Sequence, residues 1–192
     1  MARFISPLPY PGGKAKQWKL IHSYFPEKTA KLAYYEPFFG GGSVGFRALE
    51  NKLFYDYHFS DIDCTIMDMF YDMAHENLHP FTPKSVWEIR KELFHPNLKF
   101  EDVDRKAFSD LPFWLAALCM YNTNYGSLFY GRPTKARLEQ NWNQAKCERI
   151  QNLQSLLKKN LDRVNFETKD YKDIKLDDLG RAALFYLDPP YY

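Results

Sequence analysis

Toward both ends of the chain, short apolar runs bounded by glycine, proline or acidic residues alternate with amphipathic stretches. Leu32-Ala33-Tyr34-Tyr35 is short, apolar and free of Gly and Pro, the pattern of a strand buried in a parallel sheet. Gly40, Gly41 and Gly42 then predict a tight turn, with Ser43 as the cap of a helix over Val44 to Glu50. Leu53 to Ser60 predicts a second strand, running into Asp61-Ile62-Asp63. Ile66, Met67, Phe70 and Met73 form one stripe of the next helix, for which Asp63 is the expected N-cap. Further strands are expected over Arg163 to Thr168 and Ala182 to Leu187. Upstream, Trp18, Leu20, Ile21 and Tyr24 share one side of a helix expected from Ala15 to Tyr24, which Pro26 ends.

Between about 81 and 160 the strand–helix alternation stops. A mostly helical insertion is expected there, dividing an α/β unit of residues 1–80 and 161–192. Ser85 and Glu88 have capping-box spacing ahead of Ile89, Leu93 and Phe94, and Leu111 to Tyr121 reads as a buried helix. Asn122 to Pro133 is too rich in amides, tyrosines and glycines for a helix and predicts a loop or hairpin. A helix with an apolar stripe at Trp142, Ile150, Leu153 and Leu157 follows.

Composition adds an uneven charge to this picture. The formal net charge is only +2, yet residues 1–31 hold six basic residues against one acidic, and residues 131–159 seven against two. Residues 56–110 hold six basic against twelve acidic. Two basic segments flanking an acidic one fit either a bipartite polyanion surface or ordinary solvated helix faces. Cys64, Cys119 and Cys147 are odd in number and widely spaced, and the five histidines add no metal-ligand spacing. No metal site is expected, and a reducing cytoplasm is the expected setting. No apolar run approaches membrane-spanning length.

Candidate chemistry gathers at three turns. Gly12, Gly13 and Lys14 stand before a helix, where backbone amides and an ammonium suit a carboxylate or phosphate. Glu36-Pro37-Phe38-Phe39-Gly40-Gly41-Gly42-Ser43 follows a strand, and its glycines let a ligand approach the backbone. Gly40, Gly42 and Gly45 also match the dinucleotide fingerprint, with Asp61 where a ribose-binding acid belongs, so a nicotinamide-dependent oxidoreductase is one reading. A carboxylate at Glu36 would repel a pyrophosphate and attract a cation, which favours S-adenosylmethionine (AdoMet), a sulfonium carrying a ribose. The third turn is Asp188-Pro189-Pro190-Tyr191. There an extended backbone fixes a carboxylate and carbonyls that can accept the hydrogens of a poorly nucleophilic ring amine, beside a tyrosine on which a base can stack. In the insertion, Asn122, Asn124, Tyr125, Ser127 and Arg132 suit base edges, and Lys135, Arg137, Lys146, Arg149, Lys158 and Lys159 suit phosphates.

Taken in order, Tyr10-Pro11-Gly12-Gly13-Lys14, Glu36 to Val44, Ser60-Asp61-Ile62-Asp63 and Asp188-Pro189-Pro190-Tyr191 resemble the motifs of the Dam-type DNA adenine N6-methyltransferases, whose target-recognition region lies between the AdoMet and catalytic motifs. The resemblance implies a Rossmann-like sheet with parallel strands in the order 3-2-1-4 and an inserted DNA target-recognition region. It also implies AdoMet as cofactor, double-stranded DNA as substrate and methyl transfer to a flipped adenine. Tyr10, Lys14, Asp61 and Asp188 would contact AdoMet, together with the turn from Glu36 through Phe38 to Ser43 and with Asp170. Asp188 and Pro189 would orient the amine, and Tyr191 would stack on the base. Position 10 is Tyr where many members have Trp, which keeps an aromatic face. The family continues past its catalytic tetrapeptide, whereas this sequence stops at Tyr192. A fragment, a shortened product that binds AdoMet or DNA without catalysis, and a homodimer paired through the exposed sheet edge are the readings this leaves. Restriction-modification and phage settings both suit the family.

Overall fold

The computed structural model describes residues 6–8, 13–77, 112–123, 144–176 and 182–189. The helix expected after Ser85 and the hairpin from Asn124 to Pro133 lie outside the described residues. The elements, in chain order, are α1 (Trp18–Ser23), β1 (Ala33–Glu36), α2 (Gly45–Glu50), β2 (Asp56–Asp61) and α3 (Cys64–His75). They continue with α4 (Phe113–Thr123), α5 (Gln144–Lys158), β3 (Val164–Thr168), a 3-10 turn (Tyr171–Asp173) and β4 (Ala183–Phe185).

The four strands form one parallel sheet in the order β3-β2-β1-β4, the order expected from the sequence. Glu36 pairs with Phe59, and Asp61 with Thr168, so the carboxyl ends of β1, β2 and β3 open toward one side. Alternation of side chains sends Tyr34, Tyr57, Phe59 and Phe166 to one face, where all four are buried. That face packs against Phe46, Leu49, Ile66, Phe70 and Met73 of α2 and α3. The core is largely aromatic, with Phe46 edge-on to Phe39 at 5.0 Å between ring centres and to Phe70 at 4.9 Å. Burial of rings of this size is the main favourable term holding helices to sheet, at roughly 25 cal/mol per Å² of apolar surface. On the opposite face Tyr35 stacks between His58 (4.3 Å) and Phe185 (4.9 Å) across three strands.

Asp63 caps α3 as expected, accepting from the Thr65 and Ile66 amides at 3.0 and 3.4 Å. Two local expectations give way. Helix α2 starts at Gly45 behind Val44 and has no side-chain cap. The Ser43 hydroxyl is engaged by a residue distant in sequence instead. Helix α4 runs on through Asn122 and Thr123, because the polar amide of Asn122 finds partners inside the protein. Trp114, Leu115 and Leu118 of α4 and Ile150, Leu153 and Leu157 of α5 share one core with α3. These two helices of the expected insertion are therefore built onto the sheet layer.

Candidate functional site

The glycine turn is shaped by two positive backbone angles, φ +48° at Gly40 and +67° at Gly42, a region that L side chains rarely enter. Its near side is pinned by Asp61 at the end of β2. One Asp61 oxygen accepts from the Gly40 amide at 2.8 Å and the other from the Asp63 amide at 3.1 Å. Burial raises the Asp61 pKa, and these backbone hydrogen bonds oppose the rise. Ile62 adds a further backbone hydrogen bond, and the carboxylate still keeps acceptor capacity for a sugar hydroxyl.

Lys14 joins the other two motifs. Its backbone amide donates to Ser43 Oγ at 3.0 Å, and its ammonium stands 2.7 Å from Asp188 Oδ2. The partners of this ion pair expose only 14% and 20% of their side chains. Asp188 lies three residues beyond β4, and β4 pairs directly with β1, which feeds the glycine turn. The opening turn, the glycine turn and the Pro-Pro segment therefore meet at one end of the sheet. Phe38 and the half-exposed Tyr171 pack at 5.1 Å and form an aromatic flank beside them. Asp170 begins the 3-10 turn that carries Tyr171 and accepts from the Lys172 amide at 3.0 Å.

The D12 class N6 adenine-specific DNA methyltransferase model matches residues 10–192. The chain belongs to that family. No curated protein sequence matches it. Members of the D12 class are AdoMet-dependent enzymes that methylate adenine in DNA, and the nicotinamide reading of the glycine pattern falls with that membership. Among the described residues no helix is long and apolar enough to cross a membrane, and no cluster of metal-ligating side chains occurs.

Of the residues the sequence singled out in this D12-class chain, Gly13, Lys14, Glu36, Phe38, Gly40, Gly42, Ser43, Asp61, Asp170, Asp188 and Pro189 are described. Tyr10, Gly12, Pro190, Tyr191, Asn124, Tyr125, Ser127, Arg132, Lys135 and Arg137 lie outside the described residues.

Glu36 is corrected in role. It was expected as a charged carboxylate at the mouth of the turn, attracting a cation. It is instead 3% exposed, with Oε2 accepting from the Tyr34 hydroxyl at 3.0 Å. Burial pushes its pKa up to about 8 against the opposing hydrogen bonds of Tyr34 and the Gly45 backbone, so near neutral pH it is mostly a neutral acid. It braces the turn from beneath. A Cβ on Gly45 would lie 2.5 Å from Glu36 Oε2, so glycine is needed there for packing. The signal was present in the sequence: Tyr34 and Glu36 are two apart in a strand and share a face.

This brace has a pH signature. The native chain keeps the Glu36 proton up to about 8, whereas an unperturbed carboxyl releases it near 4.5. Stability from this proton is complete below the lower value and is lost as pH rises toward the upper one, by about 1.4 kcal/mol per unit at most. Melting temperatures of wild type and Glu36→Gln from pH 5 to 9 should converge or cross in favour of the variant as pH rises. A constant difference across that range would refute the assignment.

Asn122, expected at base edges, has no exposed surface. Its amide donates to Pro7 O at 3.1 Å and Leu118 O at 2.8 Å, and its oxygen accepts from Lys146. Lys146, grouped by sequence with the phosphate-facing cations, points into the same cluster, and burial pulls its pKa down to about 8. Lys158 of that group donates to the Glu76 carbonyl at 2.6 Å, just past the end of α3.

Proposed function

We propose that this chain is a Dam-type member of the D12 class, binding AdoMet over the glycine turn and methylating adenine N6 in double-stranded DNA after flipping the base. The observation that carries this reading is Lys14, whose amide holds Ser43 of the glycine turn and whose ammonium holds Asp188. The residues present fit the cofactor. Asp61 keeps lone pairs for ribose hydroxyls, Phe38 and Tyr171 supply an apolar flank for a purine, and Asp170 and Ser43 stand at the rim. AdoMet, when bound, supplies an electrophilic methyl group on a sulfonium.

The chain's own residues do the rest. Asp188 and the Pro189 carbonyl accept the two hydrogens of the adenine amine, restoring density to a nitrogen whose lone pair is delocalised into the ring. Lys14 fixes the direction of the Asp188 carboxylate before the base arrives. As the amine took the methyl group that a held AdoMet would supply from its sulfonium, Asp188 would stand where the amine's departing proton can be received. Tyr191 stacks on the flipped base, Tyr10, Gly12 and Gly13 contact the cofactor, and residues 81–160 are the inserted target-recognition region. Asn124, Tyr125, Ser127 and Arg132 read bases while Lys135 and Arg137 take phosphates.

The test is transfer of labelled methyl from AdoMet to unmethylated duplex DNA by the purified chain, with label located by nucleoside digestion. Label on N6-methyladenine is the expected result. Retention of AdoMet in equilibrium dialysis without any transfer would instead support a non-catalytic cofactor binder, and the absence of both binding and transfer would overturn the proposal.

A further inference from the structure

Two consecutive residues in the last turn of α4, Tyr121 and Asn122, reach the glycine turn from opposite flanks. The Tyr121 hydroxyl donates to Asp63 Oδ2 at 3.3 Å. The Asp63 amide donates to Asp61, and Asp61 accepts from the Gly40 amide. On the other flank, Asn122 Nδ2 donates to the Pro7 carbonyl. Ser6, next to Pro7, donates to the Gly41 carbonyl, and its oxygen accepts from the Leu8 amide at 3.1 Å, which closes a small turn around Pro7. Gly40 and Gly41 are thus each one short relay away from one helical turn of the insertion. Leu8 is buried in the main core, which keeps the Ser6–Leu8 segment seated. Lys146 of α5 donates to the oxygen of the same Asn122 amide, so both described helices of the insertion bear on this point.

We propose that Tyr121 and Asn122 are positioning residues that couple DNA engagement by the insertion to the geometry of the glycine turn, so that cofactor and DNA strengthen each other's binding. Both side chains are buried. Immediately after α4 the chain enters the stretch assigned by sequence to base reading. A displacement of the last turn of α4, to which that stretch is joined in sequence, would be passed by the two relays to Gly40 and Gly41 together. Proteins respond to such shifts through packed, hydrogen-bonded elements with discrete arrangements. Linkage requires the effect to be reciprocal: whatever factor DNA adds to cofactor affinity, cofactor adds to DNA affinity. The inference rests on the methyltransferase reading above.

The experiment titrates the full chain with S-adenosylhomocysteine, which cannot react, in the absence and presence of saturating mixed-sequence unmethylated duplex DNA. Wild type should bind the nucleoside at least about fivefold more tightly when DNA is present. Tyr121→Phe, which removes only a hydroxyl, and Ser6→Ala, which cuts the other relay, should each lower that ratio to about half or less. Their affinity without DNA should stay within about threefold of wild type, a split that simple loss of stability does not produce. Asn122→Ala should behave like Ser6→Ala if it folds. Variants that melt like wild type and keep the full ratio would overturn the proposal, as would a wild-type ratio of one, with the methyltransferase reading intact. No nucleoside binding by wild type would instead remove that reading and the proposal with it.

Discussion

Asp188→Ala is expected to lower methyl transfer to DNA adenine by about a thousandfold, the scale on which a fixed polar group at a reacting centre usually acts. The substitution removes the carboxylate beyond β4 that would face the amine, and with it the ion pair that the partly exposed Lys14 ammonium makes at 2.7 Å. Asp188→Asn keeps one acceptor oxygen but loses the charge that attracts Lys14, so its activity should fall between the two. Lys14→Met should lower the rate by about ten- to a hundredfold, because it spares the acceptor and costs only its orientation. Single-turnover rates at saturating AdoMet separate these effects from changes in cofactor affinity. If Asp188→Ala kept more than a tenth of the wild-type rate, the amine-orienting role would be wrong.

Gly42→Ala should destabilise the protein by about 2–4 kcal/mol, combining a positive φ with overpacking. The added Cβ would lie 2.5 Å from Phe46 Cε2 and 2.6 Å from Phe39 Cζ, both on rings packed in the core. Neither ring can retreat cheaply, since Phe39 is stacked on Phe59 at 4.3 Å and Phe46 stands against Phe70. Urea unfolding would measure the loss. In a Phe46→Leu background, where the ring edge is gone, the same substitution should cost less. A loss that is equal in both backgrounds would mean that backbone strain alone is responsible.

Elements whose signals are local were readable from the chain. The strands themselves follow from runs such as Leu32–Tyr35, while their order came from the family resemblance, and Asp63 as a cap follows from its place before an apolar stripe. What escaped depends on partners far away in sequence. Ser43 looked like a helix cap because the residue that takes its oxygen, Lys14, lies 29 positions upstream. Asn122 looked like the start of a polar loop because its partner Pro7 is 115 positions away, and only a folded core can satisfy an amide in the middle of a helix. Glu36 looked charged because burial is a property of the whole sheet, even though its alternation with Tyr34 was visible. The meeting of the opening turn with Asp188 was foreseeable only as motif order, since an ion pair between residues 14 and 188 leaves no periodic trace.

The two carboxylates that frame the candidate site sit on strands of unequal security. Asp61 closes β2, a six-residue strand flanked by neighbours on both sides, whereas Asp188 follows β4, which has three residues and is one of the two edge strands among the described residues. Amide exchange should therefore be slow through Tyr57 and Phe59 and fast through Leu184, because local opening is cheapest where few hydrogen bonds and few buried contacts must be given up. The half of the crevice that would grip a nucleoside is the last part of the sheet to fray. The half that would handle the reacting amine is among the first, and the ion pair with Lys14 is one of the ties that hold it back.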